Sequence, residues 1–277
     1  EQIDLYKNRK LQMFFSTRSK VYVLDRNGNK VDGFPVALSE KTSAPASVAD
    51  YDNSRDYRFF VPLESGKTLA LDARGKQVEG WEFKDDEAPL ITPVEHIRVR
   101  SKDYLFAVNA AGRIHLLDRQ GNTRHAVETL MPAGVVQPYF VAHPEQVISS
   151  GGLYAADSTG TAHRIGFDGR TRKLDFGLAD PMHTEFFDLN RDGNVDCIIQ
   201  TKDGIAAFSM EGRKLFEFAA GDLTPGFRVH DIDATGVFIS TFSASEKKVY
   251  LFTSKGVLCH GFPLIGDFEA ALLDYMK

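Results

Sequence analysis

The sequence predicts an all-β fold, a β-propeller of about six four-stranded antiparallel blades, on three observations. One unit of roughly 45 residues recurs along the whole chain. Each unit holds four short β-rich runs separated by turn dipeptides. No run keeps the 3.6-residue period that helical repeats need, except 268–275, which also fits a strand. A fragment of a seven- or eight-bladed propeller is the alternative.

The repeat is anchored by an apolar strand that ends in a polar residue, a spacer and glycine. Successive copies close at Gly28, Gly75, Gly121, Gly169, Gly212 and Gly256, at spacings of 47, 46, 48, 43 and 44. The fifth unit divides most cleanly. Its inner strand, 182–188, is followed by a loop, a second strand at 195–200, the turn Lys202-Asp203-Gly204, a third strand at 205–210, the turn Glu211-Gly212 and an outer strand at 214–218. Asp-Gly and Glu-Gly between short β-rich runs are hairpin signals. The approximate blades are 1–40, 41–87, 88–132, 133–178, 179–222 and 223–277, and together they make one domain. A blade alone leaves both sheet faces bare, so blades must stabilise one another by stacking. At the outer strands, Gly33-Phe34-Pro35, Gly80-Trp81 and Gly261-Phe262-Pro263 each follow the turn glycine by five residues. The aromatic is expected between blades and the proline at an edge. The residues 2–5 match the inner strands at 48–52 and 228–233, while 268–276 reads as a further inner strand, which leaves ring closure open.

Composition narrows the function classes. The 277 residues are 43% hydrophobic and 26% charged, as in an ordinary globular chain, and the formal net charge is −5. That charge does not favour binding to nucleic acid or anionic lipid, where a basic stripe is expected. No apolar run reaches bilayer-spanning length. Cys197 and Cys259 are read as two buried thiols rather than a disulfide framework. The chain opens at Glu1, which is read as the mark of a removed upstream segment.

One loop carries metal-type chemistry. Asp188, Asn190, Asp192, Asn194 and Asp196 form a D-x-N-x-D-G-x-x-D pattern between the inner and second strands of the fifth unit. Oxygen side chains at alternate positions can converge on one hard cation, with Gly193 allowing the sharp turn, so the expected ion is a structural Ca²⁺. The competing reading is an Asx-rich turn held by its own hydrogen bonds. The equivalent loop of the second unit runs Asp50-Tyr51-Asp52-Asn53-Ser54-Arg55-Asp56-Tyr57-Arg58. There Arg58 occupies the place of Asp196, and its guanidinium is expected to bridge Asp50 or Asp52 in the metal's stead. The third unit keeps Ser101-Lys102-Asp103-Tyr104 without the acidic ladder, and the sixth keeps Asp231 and Asp233 before Thr235-Gly236.

The 188–196 loop in its strand–loop–strand setting and the Gly-aromatic-Pro outer strands resemble FG-GAP and VCBS-type repeats of integrin-like propellers. The 50–58 loop resembles bacterial envelope proteins with PQQ-like or WD40-like repeats. The resemblance implies an extracytoplasmic scaffold, in the periplasm or at the cell surface, that holds a protein or carbohydrate partner. It also implies calcium where the motif is intact. The Trp-Asp and Gly-His pairs of WD40 blades, the repeated Gly-Gly of kelch, a tryptophan in most blades as in quinoproteins, and the sialidase Asp box are all missing.

Catalytic patterns are weak. The eight histidines form no close metal-binding pair. His183 and His230, both near inner strands, are the one candidate for paired acid–base or metal chemistry at a central channel. Asp85 and Asp86 read as a solvated turn. Two readings therefore stand: a non-catalytic interaction scaffold of the bacterial cell envelope, and a glycan-active or quinone-dependent propeller enzyme whose site is scattered over several blades.

Overall fold

The computed structural model describes residues 1–99, 101–131, 140–141, 152–157, 159–178, 180–219, 222–232 and 235–266. Among them are 23 strands in six sheets and no helix, so the chain is an all-β propeller. Five sheets have four strands and one has three. The terminal run at 268–276 lies outside the described residues.

Two compact units divide the chain: Glu1–Ala133 with Phe167–Arg170, and Gly134–Gly166 with Thr171–Lys277. The first unit holds three sheets. They are β1 (Gln2–Ile3), β2 (Gln12–Ser16), β3 (Lys20–Leu24) and β4 (Val36–Ala37); then β5 (Ser47–Ala49), β6 (Arg58–Pro62) and β7 (Thr68–Leu71); then β8 (Glu95–Val99), β9 (Lys102–Val108), β10 (Ile114–Leu117) and β11 (Thr123–Ala126). In the second unit the fourth sheet is β12 (Phe140–Val141), β13 (Gly152–Ala156), β14 (Ala162–Gly166) and β15 (Thr171–Leu174). The fifth is β16 (His183–Phe187), β17 (Asp196–Thr201), β18 (Gly204–Ser209) and β19 (Lys214–Ala219). The sixth is β20 (Arg228–Ile232), β21 (Gly236–Ser243), β22 (Lys248–Thr253) and β23 (Leu264–Ile265). Every sheet is an antiparallel meander in chain order, as short hairpin turns dictate.

The apolar runs without alternation are explained by burial on both faces. In β6, Phe59 and Val61 enter one cluster with Phe14, Val21 and Val23 of the first sheet. Phe60, between them in sequence, enters another with Leu105, Ala107 and Leu117 of the third. β17 repeats the device: Cys197 and Ile199 pack with Tyr154 and Phe186, whereas Ile198 packs with Phe216 and Ile239. β6 and β17 therefore have no solvent face of their own; neighbouring sheets supply the cover. Cys197 is buried, but Cys259 is only half-buried, and both are free thiols. The turn glycines join adjacent sheets. Gly75 has φ +71°, and a Cβ on it would stand 2.5 Å from the Gly33 carbonyl oxygen; one on Gly33 (φ +83°) would stand 2.1 Å from that of Arg74. The two turns interlock backbone to backbone, and only glycine fits either place.

The outer strands follow the Gly-aromatic-Pro expectation in part. Phe34 is buried, edge-on to Phe59 at 5.7 Å. Trp81 is buried as well, whereas Phe262 is half-exposed. The second sheet departs from the expected four strands. Beyond β7 only two isolated bridges form, Lys67 with Lys84 and Leu71 with Gln77. Between them the Trp81 indole Nε1 donates to the Thr68 carbonyl oxygen at 2.7 Å, taking the place of a backbone N–H.

Candidate functional site

In an antiparallel meander, the loop joining the first and second strands and the turn joining the third and fourth fall at the same end of the sheet. In three sheets the first-to-second loop is built one way. Asp4, Asp50 and Asp188 follow their inner strands, and each carboxylate accepts the backbone N–H groups of the fourth and fifth residues beyond it. These are Asn8 and Arg9 for Asp4, Ser54 and Arg55 for Asp50, and Asp192 and Gly193 for Asp188. In each the third and fifth residues have positive φ: Lys7 at 56° and Arg9 at 62°, Asn53 at 51° and Arg55 at 62°, Arg191 at 58° and Gly193 at 82°. One aspartate thus holds a left-handed turn of fixed shape. The Asp4 copy had no signature in sequence, because only its first position is acidic.

The eighth residue beyond that aspartate is a buried acceptor in two of the loops. Gln12 Oε1 takes the Leu5 N–H at 2.7 Å, and Asp196 Oδ2 takes the Leu189 N–H at 3.1 Å. Both side chains are buried. Arg58, in the same place in the second loop, has no acceptor to offer. It donates instead to the carbonyl oxygens of Asp56 and Tyr57. The expected bridge from Arg58 to Asp50 or Asp52 is therefore not made.

Other arginines bring the positive charge. Arg98 Nη1 lies 2.8 Å and Arg119 Nη2 2.9 Å from Asp52 Oδ1, both reaching over from the third sheet. Hydrogen bonds from Arg119 and then Arg98 hold the Asp52 carboxyl down to about 2. Arg119 also grips Asp103 Oδ2 at 2.6 Å and lies over the Tyr51 ring, 4.5 Å from its centroid. Asp103 is buried and contacts His96 Nε2 at 2.8 Å. Burial holds the Tyr51 hydroxyl far above its ordinary range. In the first loop the cation is Arg55 of the second sheet, with Nη1 3.0 Å from Asp4 Oδ2. Within the second unit, Arg191 reaches from the fifth loop to Asp231 of the sixth sheet; Asp233 lies outside the described residues.

The fifth loop differs in charge. Asp192 accepts from Asn190 Nδ2 on one oxygen and from the Asn194 backbone and amide on the other, and Asn190 Oδ1 accepts the Asp192 N–H at 2.8 Å. Asp188, Asp192 and Asp196 pair with no lysine or arginine among the described residues. Burial first, then the Asp192 and Asp188 carboxylates, raise the Asp196 carboxyl to about 7. Burial raises Asp188 too, while Asp192 is lowered because hydrogen bonds from Asn190 and Asn194 outweigh its desolvation. Among the described residues no three His, Cys, Asp or Glu side chains converge on one metal-sized position. The donor set is nonetheless all oxygen, as a hard cation requires, and it includes the buried Asp196 carboxyl, which pairs with no lysine or arginine among the described residues.

The histidine candidates have partners on their own sheets. His183 Nε2 contacts Glu185 at 3.0 Å and its ring stands edge-on to Phe227, while His230 Nε2 contacts Ser240 Oγ at 2.7 Å. The expectation of a solvated Asp85 is corrected. Asp85 is buried and accepts from the Glu87 and Ala88 N–H groups, Asn109 Nδ2 and the His115 ring. Asp86 alone is exposed, paired with Lys84 at 2.6 Å.

Neither protein-family models nor curated proteins give a match to this sequence. Solved structures do. The crystal structure of BBS1N in complex with ARL6DN is similar at a TM-score of 0.57 and 10% identity, over 96% of this chain and 83% of that one. The computationally designed Ika8 protein gives 0.55 and 12%, over 98% and 76%. BamB from Moraxella catarrhalis gives 0.51 and 17%, over 92% and 86%. At these identities the likeness is one of fold. No helix among the described residues is long and apolar enough to cross a membrane.

Proposed function

We propose that the chain is a non-catalytic scaffold that docks a protein partner on the loop end of its sheets. The observation that carries this reading is the lacing of those loops: Asp4 to Arg55, and Asp52 to Arg98 and Arg119, across successive sheets of the first unit. Loops fixed before binding lose little conformational entropy when a partner arrives. The likeness to BBS1N, solved in complex with ARL6DN, agrees with that use of the fold. The same reading includes the extracytoplasmic placement implied by the repeat resemblance, which fractionation of the tagged protein from its native host would check.

Calcium belongs to this proposal as a stiffener of the fifth loop. Asp188, Asn190, Asp192, Asn194 and Asp196 would hold it, supplying the charge that arginines supply elsewhere. When bound, the ion would neutralise three neighbouring carboxylates and fix the loop.

The docking test compares two exposed positions at opposite ends of the sheets. Partners retained by the parent protein are to be lost with Arg98→Glu, at the loop end, and kept with Lys67→Glu, in the opposite turn. Equal retention by both variants, each melting like the parent, overturns the reading.

A further inference from the structure

The first sheet has one covered face and one open face. Ile3, Phe14, Val21 and Val23 are buried toward the second sheet. On the other face the cross-strand row Gln2, Met13 and Leu24 lies beside the stacked rings of Phe15 and Tyr22, 5.0 Å apart. Met13 is 53% exposed and Leu11 46%. Over this row opens a cleft of about 550 Å³, walled by Arg9, Lys10, Leu11, Met13, Leu24 and Arg26. The cleft is broadly open to solvent, which suits a peptide segment laid across the sheet rather than an enclosed small molecule.

The rim is positive and held in place. Arg9, Lys10 and Arg26 have no hydrogen-bonded or ion-paired side chain among the described residues. The one carboxylate on the rim, Asp25, is taken up by the N–H groups of Asn27 and Asn29 and by the Asn29 amide. Arg9 sits at φ 62°, its N–H fixed by the buried Asp4 carboxylate. Asn8 Oδ1 accepts the Lys10 N–H, and the Lys10 carbonyl oxygen accepts from Gln12 Nε2. Residues 1–31 carry seven Lys or Arg against three Asp or Glu, in a chain whose net charge is −5. The charge of this patch therefore runs against that of the molecule.

We propose that this cleft docks an acidic segment of a partner protein, with carboxylates on Arg9, Lys10 and Arg26 and an apolar side chain on Met13 and Leu24. Three unpaired cations around an apolar floor select for carboxylates flanking a hydrophobic residue, and methionine adapts its shape to the side chain it receives. An extended peptide places alternate side chains about 7 Å apart on one face, so acidic residues can flank an apolar one along the cleft. The inference rests on the scaffold reading and names the partner's chemistry.

Fluorescence anisotropy with a labelled Asp-Glu-Leu-Asp-Phe-Glu peptide tests it. The parent is expected to bind, to lose about tenfold in affinity on raising salt from about 50 to 300 mM, and to lose as much with Arg26→Glu or Met13→Asp. The Asn-Gln-Leu-Asn-Phe-Gln analogue is expected to bind no better than those variants. Circular dichroism of each variant separates lost binding from lost fold; if Met13→Asp unfolds, Arg26→Glu alone decides. No binding by the parent below about 1 mM, or equal binding by parent and Arg26→Glu, overturns the proposal. A parent dimer that Arg26→Glu dissociates would assign the cleft to a second copy and overturn it as well. Failure here alongside continued loss of partner by Arg98→Glu leaves the scaffold reading standing; loss of both results removes the two together.

Discussion

Arg55, in the loop of the second sheet, places Nη1 3.0 Å from Oδ2 of Asp4, in the loop of the first. The same aspartate fixes the backbone of its own loop through Asn8 and Arg9. One carboxylate thus shapes a turn and ties it to the next repeat. Asp4→Asn is expected to destabilise more than Arg55→Ala, because the first change weakens both jobs and the second only one. In a double-mutant cycle read by thermal melts the two losses are expected to be less than additive. Strict additivity would show that the pair is not coupled.

Asp52 gives the chain an acid-sensitive contact. Its carboxyl is held at about 2 by Arg119 and Arg98, against about 3.9 in an unfolded chain. A folded value below the unfolded one means that the contribution is complete above about pH 4 and disappears as pH falls through about 2. Asp52→Asn is expected to flatten the fall of the urea midpoint between about pH 5 and pH 2. An unchanged slope would mean that the arginines do not favour the ionised form.

The fifth loop is expected to bind Ca²⁺ in titration calorimetry and to raise the melting temperature with it. Asp192→Ala and Asp196→Asn are expected to lose both effects. Asp196→Asn is the sharper test, because an amide oxygen can still take the Leu189 N–H, as Gln12 takes that of Leu5 in the first loop. Loss of the heat without loss of the fold assigns the effect to charge. Identical traces for parent and Asp192→Ala would remove Asp192 from the site.

Trp81 supplies one of the hydrogen bonds that a fourth strand would have supplied to the second sheet, between the two bridges at Lys84 and Gln77. Trp81→Phe leaves the Thr68 carbonyl without its donor and is expected to cost about 1–3 kcal/mol. Trp81→Ala, which also empties a place beside Phe60, is expected to cost about 3–5 kcal/mol. Chemical denaturation followed by circular dichroism measures both, since Trp81 is the sole tryptophan and its fluorescence is lost with it.

The sheets were legible in the sequence because their determinants are local and repeat: turn glycines, short apolar runs and Asp-Gly hairpins. The ends of the fifth-unit strands fall within a residue or two of their expected places. The outer strand of the second blade was not legible, because an indole stands in for a peptide N–H and no spacing rule anticipates that. In sequence, the loops show only their side chains, which favour the oxygen-rich copy. Their shape depends on one aspartate and two left-handed residues, so the copy at Asp4 carried no visible motif. Position alone does not set the partner of Arg58, whose guanidinium turns to the carbonyl oxygens of Asp56 and Tyr57. The arginines that meet Asp52 come from another sheet, at separations of 46 and 67 residues, beyond any pattern within one repeat.

The self-closing aspartate loop separates the shape of the turn from the charge beside it. Because the carboxylate pins the turn to its own backbone in all three copies, Arg55 can stand against Asp4 while no lysine or arginine among the described residues pairs with Asp188, and the left-handed geometry is the same. The strands beneath can keep one design while the charge at each blade end differs.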